Sequence, residues 1–145
     1  MLRMSKMTDY GVVVLSGLAS GGAGATHTAR ELAERTRVPL PSVSKVLKEL
    51  SQAGLLVSHR GVAGGYALAR RPEEISVAEV IGVLDGPLSL TECGAHPEGA
   101  TACNLEPTCQ VRTPMRVVNG VIHDALRRLT LADLAGPARW GGVRP

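Results

Sequence analysis

The chain has 145 residues, 44% of them hydrophobic, which is enough for one packed domain with or without an added oligomerisation element and does not fit a disordered chain. Its formal charge of +3 is unevenly placed: residues 1–71 carry ten Lys or Arg against four acids, a net of +6, and residues 72–145 carry six against nine, a net of −3. With no Phe, two Tyr and one Trp, the chain has few rings for stacking unpaired bases, so duplex DNA is a better partner for the basic half than single strands.

Residues 5–20 read as a first helix, with Tyr10, Val13, Val14, Gly17 and Leu18 on one face, and the GGAGAT run ends it. Thr28 and Glu31 form a capping-box pattern, so a short helix is expected to begin near Ala29. Leu32 and Ala33, a turn through Arg37 and Val38, and then Val43, Val46 and Leu47 stand at helix-turn-helix offsets, although Arg37 occupies the turn where Gly is common. Pro41 is accepted in the first turn of the second helix. That helix is expected to bury Val43, Val46, Leu47 and Leu50 and to leave Ser42, Ser44, Lys45 and Lys48 outside, a face suited to base edges and phosphates.

Gly54 ends the helix, and residues 55–59 and 66–69 read as two short strands around the Arg60, Gly61, Val62, Ala63, Gly64, Gly65 turn. A hairpin in that place is a wing, whose Arg60 suits the negative potential of a narrow groove. Ser76 and Glu79 mark a further capping box, opening a helix to about Leu84 with Val77, Val80, Ile81 and Leu84 on its apolar face, stopped by Gly86 and Pro87.

The segment TECGAHPEGATACNLEPTC follows, holding all three cysteines of the chain, Cys93, Cys103 and Cys109. It is rich in Gly, Pro and Ala without periodicity, so it is expected to be a loop that a metal centre orders. Residues 12–19 form too short an apolar run to span a bilayer, and MLRMSKMTDY lacks a signal peptide's apolar core and cleavage site; the expectation is a cytoplasmic protein without a membrane partner. Disulfides rarely persist in that compartment and an odd number of cysteines cannot all pair within one chain, which favours metal binding or redox sensing. Zinc is the rival ligand, but closely spaced CxxC pairs are absent; unligated thiols in a flexible loop are the blander alternative.

Beyond the loop, Thr113 and Pro114 read as N-cap and first helical residue. Val117, Val118, Val121, Ile122, Ala125, Leu126 and Leu129 then make an apolar stripe expected to serve as a dimer helix, and residues 136–145 form a patternless, flexible tail. No P-loop, dinucleotide fingerprint, HExxH motif or nucleophile elbow is found, so no enzyme is expected. The fold class that follows is mainly α with a small β-hairpin: a winged helix-turn-helix domain over 1–85, a cysteine loop over 86–110, and a long C-terminal dimerisation helix with its end over 111–135.

The helix-turn-helix, the RGVAGGYALAR wing, SVAEVIGVLDG and the three-cysteine loop together resemble the bacterial regulators of the IscR, NsrR and RirA family, from about Met1 to Leu134. MLRMSKMTDY, PLPSVSKVLKEL, GPLSLTEC and TLADL look closest to the branch that regulates SUF-type iron-sulfur assembly. The resemblance implies a homodimeric winged-helix transcription factor, a repressor-type regulator of iron-sulfur assembly or iron homeostasis genes, whose loop cysteines bind an iron-sulfur cluster of either [2Fe-2S] or [4Fe-4S] type. Carried over by position, Cys93, Cys103 and Cys109 are the cluster ligands. Ser42, Ser44, Lys45 and Arg60 are DNA contacts, to which Lys48, Lys6 and Thr28 are added, on a pseudo-palindromic operator.

Two departures matter. The nine residues between Cys93 and Cys103 are more than several members have, and Arg112 stands where IscR-like members carry a ligating histidine. Three thiolates leave one of the usual four protein positions open. In NsrR-like members an aspartate of the partner subunit fills it, and Asp9 matches that position; Glu92, His96, Glu106 and an exogenous thiol or water are the alternatives. His27, His59 and His123 are read as surface or packing residues. The competing reading is a thiol-based redox or metal-trafficking protein whose winged-helix part mediates protein contacts.

Overall fold

The structure, a computed structural model, describes residues 4–22, 24–91, 104 and 106–136. Helix α1 spans Lys6–Ala19, and Ser5 caps it by accepting the Thr8 amide at 3.2 Å. The helix buries Thr8, Gly11, Val14, Leu15 and Leu18. This face is rotated from the expected one: Leu15 is fully buried, whereas Val13 is exposed. The cause is Gly11, where an added Cβ would run into the Leu84 side chain, so α1 approaches the later helices along its glycine line.

Helix α2, Ala29–Thr36, opens on the complete Thr28–Glu31 capping box. Leu32 is its buried side chain, and the chain then turns through Arg37 in the left-handed region at φ 61°. Helix α3, Leu40–Gln52, follows with Pro41 in its first turn and buries Val43, Val46, Leu47 and Leu50. Fully burying each such aliphatic side chain is worth about 1.5–3 kcal/mol.

Strands β1, Leu56–His59, and β2, Gly65–Leu68, pair antiparallel with Leu56 opposite Leu68 and His59 opposite Gly65. A third segment joins them: the His27 amide donates to the Tyr66 carbonyl at 3.0 Å and the Tyr66 amide donates back at 2.8 Å. Gly65 lies so close to the His27 backbone that a Cβ would stand 2.7 Å from its carbonyl oxygen, and its φ of 156° adds strain for any other residue. The wing glycines therefore serve the sheet's own packing as well as the turn.

A short 3-10 turn, Pro72–Glu74, leads to α4, Val77–Leu84. Ser76 accepts the Glu79 amide at 3.2 Å, but the expected box is only half made, because the Glu79 carboxylate pairs with Arg70 instead. Helix α5 spans Arg112–Arg128 with Val111 before it, so it starts earlier than Thr113 and Pro114 indicate. Proline is tolerated there, within the first turn, where amides have no helical partner. The chain then does what no periodicity announces. Leu131 donates to the Ile75 carbonyl at 3.0 Å and Val77 to the Leu129 carbonyl at 2.8 Å, making a bridge between Ser76 and Thr130. Helix α6, Leu131–Ala135, opens on a Thr130–Asp133 capping box and packs on α1, with Leu131 fully buried in the core.

Among the described residues no helix is long and apolar enough to cross a membrane.

Candidate DNA interface and thiol site

The Thr28–Glu31 capping box and the tight turn at Arg37 set α2 against α3, which leaves one face of α3 open. Ser44, Lys45 and Lys48 are exposed on that face, and Ser42 is half-buried. Lys45 meets Glu49 only at 4.0 Å along the helix, an exposed pair that holds the lysine weakly. Arg60 is exposed at the end of β1, and Val62 stands wholly out of the body at the wing tip. The structure thus presents α3 and the wing as two projecting elements of one basic unit.

Lys6 and Thr28 are placed differently. Lys6 sits over the Tyr10 ring at 5.6 Å, on the wall of an open cleft of about 740 Å3 between the start of α1, the end of α4 and α5. The Thr28 hydroxyl accepts the Glu31 amide at 3.2 Å and lies 3.1 Å from the Glu31 carboxylate, so it is engaged in the cap. Hydrogen bonds from the Thr28 backbone, then from its side chain, hold the Glu31 carboxyl below its ordinary value. In the cleft, burial works to raise the Asp85 carboxyl, but hydrogen bonds from Ser5 and Thr8 outweigh it and keep the group below its ordinary value. The Ser5 amide reaches Asp85 at 2.9 Å.

Residues that the sequence reading left as surface or packing groups also shape this face. His27 Nε2 lies 3.2 Å from the Arg35 guanidinium, so the residue that bridges to the wing also touches α2. A signal for this existed in the sequence only as an isolated histidine before a capping box, which does not name its strand partner.

Of the cysteines, Cys109 is half-buried and a free thiol, three residues before the first residue of α5, and the Arg112 amide donates to its carbonyl at 3.4 Å. Cys93 and Cys103 lie outside the described residues, as do Glu92 and His96. Glu106 begins the 3-10 turn Glu106–Thr108. Asp9 is exposed in the first turn of α1, its amide bonded to the Ser5 carbonyl at 3.1 Å.

Helix α5 packs on α4, and Ile122, Leu126 and Leu129 are half-buried. The helix is therefore not detached from the basic half as its stripe alone implies. The rest of the stripe is uncovered: Val117 is 62% and Val121 64% exposed, and Val118 and Ala125 are exposed with them.

A helix-turn-helix with a hairpin wing, a basic open face and an appended long helix defines a winged-helix DNA-binding regulator. The comparisons with known proteins narrow that class. Residues 4–137 match the Rrf2 family of iron-dependent transcriptional regulators, and the chain belongs to that family. It is 31% identical over 145 residues to the HTH-type transcriptional repressor NsrR of Streptomyces coelicolor, covering 97% of this chain and 95% of the relative. Among solved structures it superimposes on CymR, the global cysteine regulator of B. subtilis, with a TM-score of 0.72 at 27% identity, covering 93% of this chain and 97% of that one. It also matches T. potens IscR, with a TM-score of 0.69 at 26% identity over 99% of this chain and 93% of that one. The protein is a transcriptional regulator and not an enzyme.

Proposed function

We propose that this regulator acts as a homodimer whose DNA affinity is set by an iron-sulfur cluster on Cys93, Cys103 and Cys109, with Asp9 of the partner subunit as the fourth ligand. The observation that carries the reading is placement: every cysteine of the chain falls in the one segment joining the winged-helix body to the helix whose apolar stripe is left partly uncovered. The described donors suit the group by their chemistry: Cys109 is a free, half-buried thiol just ahead of a 17-residue helix, whose positive N-terminal end favours an anionic centre, and Asp9 is an exposed carboxylate. A carboxylate ligand leaves one iron labile, the property a sensor of oxygen, nitric oxide or iron supply requires.

The protein's own residues do the rest. Ser44, Lys45 and Lys48, with Ser42 at their edge, meet one major groove, and Arg60 follows the adjacent minor groove. Lys6 and Thr28 lie at the margins of the contact, Thr28 through the cap that sets the start of α2. The uncovered valines of α5 close against the same residues of a second copy, so two recognition helices address successive turns of a pseudo-palindromic operator. The target genes proposed are those of iron-sulfur assembly or iron homeostasis, under repression in the cytoplasm.

A second reading has a specific support: CymR, a structure this chain closely superimposes on, is named for cysteine regulation, so free thiols alone are a candidate signal input. Binding of the duplex upstream of its own gene by iron-free and anaerobically reconstituted protein separates the readings. A cluster sensor shows different affinities in the two states, and a thiol regulator is indifferent to reconstitution.

A further inference from the structure

Asn119 stands seven residues into α5 and reaches across to the chain that leads into the cysteine segment. Its side-chain oxygen accepts the Leu90 amide at 2.9 Å, and its nitrogen donates to Ser89 Oγ at 3.1 Å and to Thr91 Oγ1 at 3.4 Å. These partners are 28 to 30 residues away in sequence. Ser89 closes the turn on itself: its hydroxyl donates to the Thr91 carbonyl at 2.6 Å and accepts the Thr91 amide at 3.2 Å.

The arrangement selects for an amide. The Leu90 N–H is a fixed donor, so an oxygen must face it, which turns the NH2 of Asn119 toward the two hydroxyls. The Ser89 proton is committed to the Thr91 carbonyl, so Ser89 offers a lone pair there. Aspartate would oppose that lone pair with a second oxygen, and an aliphatic side chain would meet neither group.

Thr91 is two residues before Cys93, and at the other end Cys109 is bonded through its carbonyl to the first residue of α5. The segment carrying the cysteines is thus joined to one helix at both ends, by the backbone at Cys109 and by the Asn119 side chain at Thr91. Between α4 and Ser89 the chain runs without regular structure through Gly86, at φ 82°, and Asn119 is one fixed point beyond it.

We infer that Asn119 is the positioning residue through which a change at the cysteines is passed to α5, and through α5 to DNA affinity. The identity of the signal rests on the cluster reading above; the clamp does not. A coupling residue differs from a structural staple in one respect: a staple changes both states alike, whereas a coupling residue changes the difference between them.

The test compares full-length wild type, Asn119→Ala and Asn119→Asp on the duplex upstream of the gene in three states: iron-free with free thiols, reconstituted with iron and sulfide, and iron-free with the thiols blocked by N-ethylmaleimide. In wild type at least one treatment changes Kd by about tenfold, the usual scale of such coupling, and in both variants the ratio between states falls to within about twofold. Hydrogen exchange at the Leu90 amide accelerates in Asn119→Ala while α5 keeps its protection. If the alanine variant folds poorly, Ser89→Ala removes one of the Asn119 bonds together with the Ser89–Thr91 bonds that shape the turn, and is expected to lower the ratio in the same direction. A wild type that responds to alkylation but not to reconstitution overturns the cluster reading and leaves the clamp standing. Variants that keep the wild-type ratio overturn the clamp, and a wild type indifferent to both treatments overturns both.

Discussion

Lys48 and Arg60 are both exposed cations, yet they are expected to fail differently when removed. If Lys48 meets a phosphate as proposed, Lys48→Ala is expected to weaken binding to all duplexes and to reduce the slope of log affinity against log salt by about 1. Ser44→Ala and Arg60→Ala alter which sequences are preferred. Titrations at several salt concentrations check this, and equal slopes for wild type and Lys48→Ala count against the phosphate role. Arg37 carries a different burden, since a non-glycine residue in the left-handed region costs about 1–2 kcal/mol. Arg37→Gly relieves that cost but adds unfolded-state freedom worth about 0.5–1 kcal/mol, for a net gain of up to about 1.5 kcal/mol in urea unfolding. The turn was readable from its flanking apolar residues without the glycine. Which residues of α1 face inward was less so, because the contact of Gly11 with Leu84 joins positions 73 residues apart and overrides the local stripe that put Val13 inside.

At the scale of elements, α1 to α4 and the hairpin lie where capping boxes, turn residues and periodicity place them. Those signals are local and strong. Helix α6 escaped because five residues are too few for a periodicity, and because the bridge between Ser76 and Thr130 that seats it is long-range. Its one local mark is the Thr130–Asp133 box inside TLADL. Thr130→Ala is expected to cost about 1 kcal/mol. The box also has a pH signature. Hydrogen bonds from the Thr130 backbone, then its side chain, hold the Asp133 carboxyl below its ordinary value. A carboxyl depressed in the folded state adds stability above its ordinary range and loses it as pH falls through the lowered value. The difference in urea midpoint between wild type and Asp133→Asn should therefore shrink on acidification, and a difference that grows toward acid contradicts the cap.

For the whole molecule, the decisive surface is the part of α5 that α4 does not cover. In the proposed dimer, Val121→Glu places a charge in the middle of this surface and is expected to sediment as a monomer at concentrations where wild type is expected to be dimeric, with a steep loss of DNA affinity and little change in helix content. The stripe was legible in the sequence; that half of it is shared with α4 was not, since periodicity shows an apolar face without naming what covers it. The open face of α3 was legible for the same reason that the helix was, its buried and exposed sides alternating at helical period. The central claim is the cluster, and the iron and acid-labile sulfide content of full-length protein purified without oxygen tests it most directly. Both elements are expected to be bound in wild type and lost when Cys93, Cys103 and Cys109 are all replaced by alanine. A wild-type protein free of iron and sulfide that refuses a reconstituted cluster, while still binding its duplex, contradicts it.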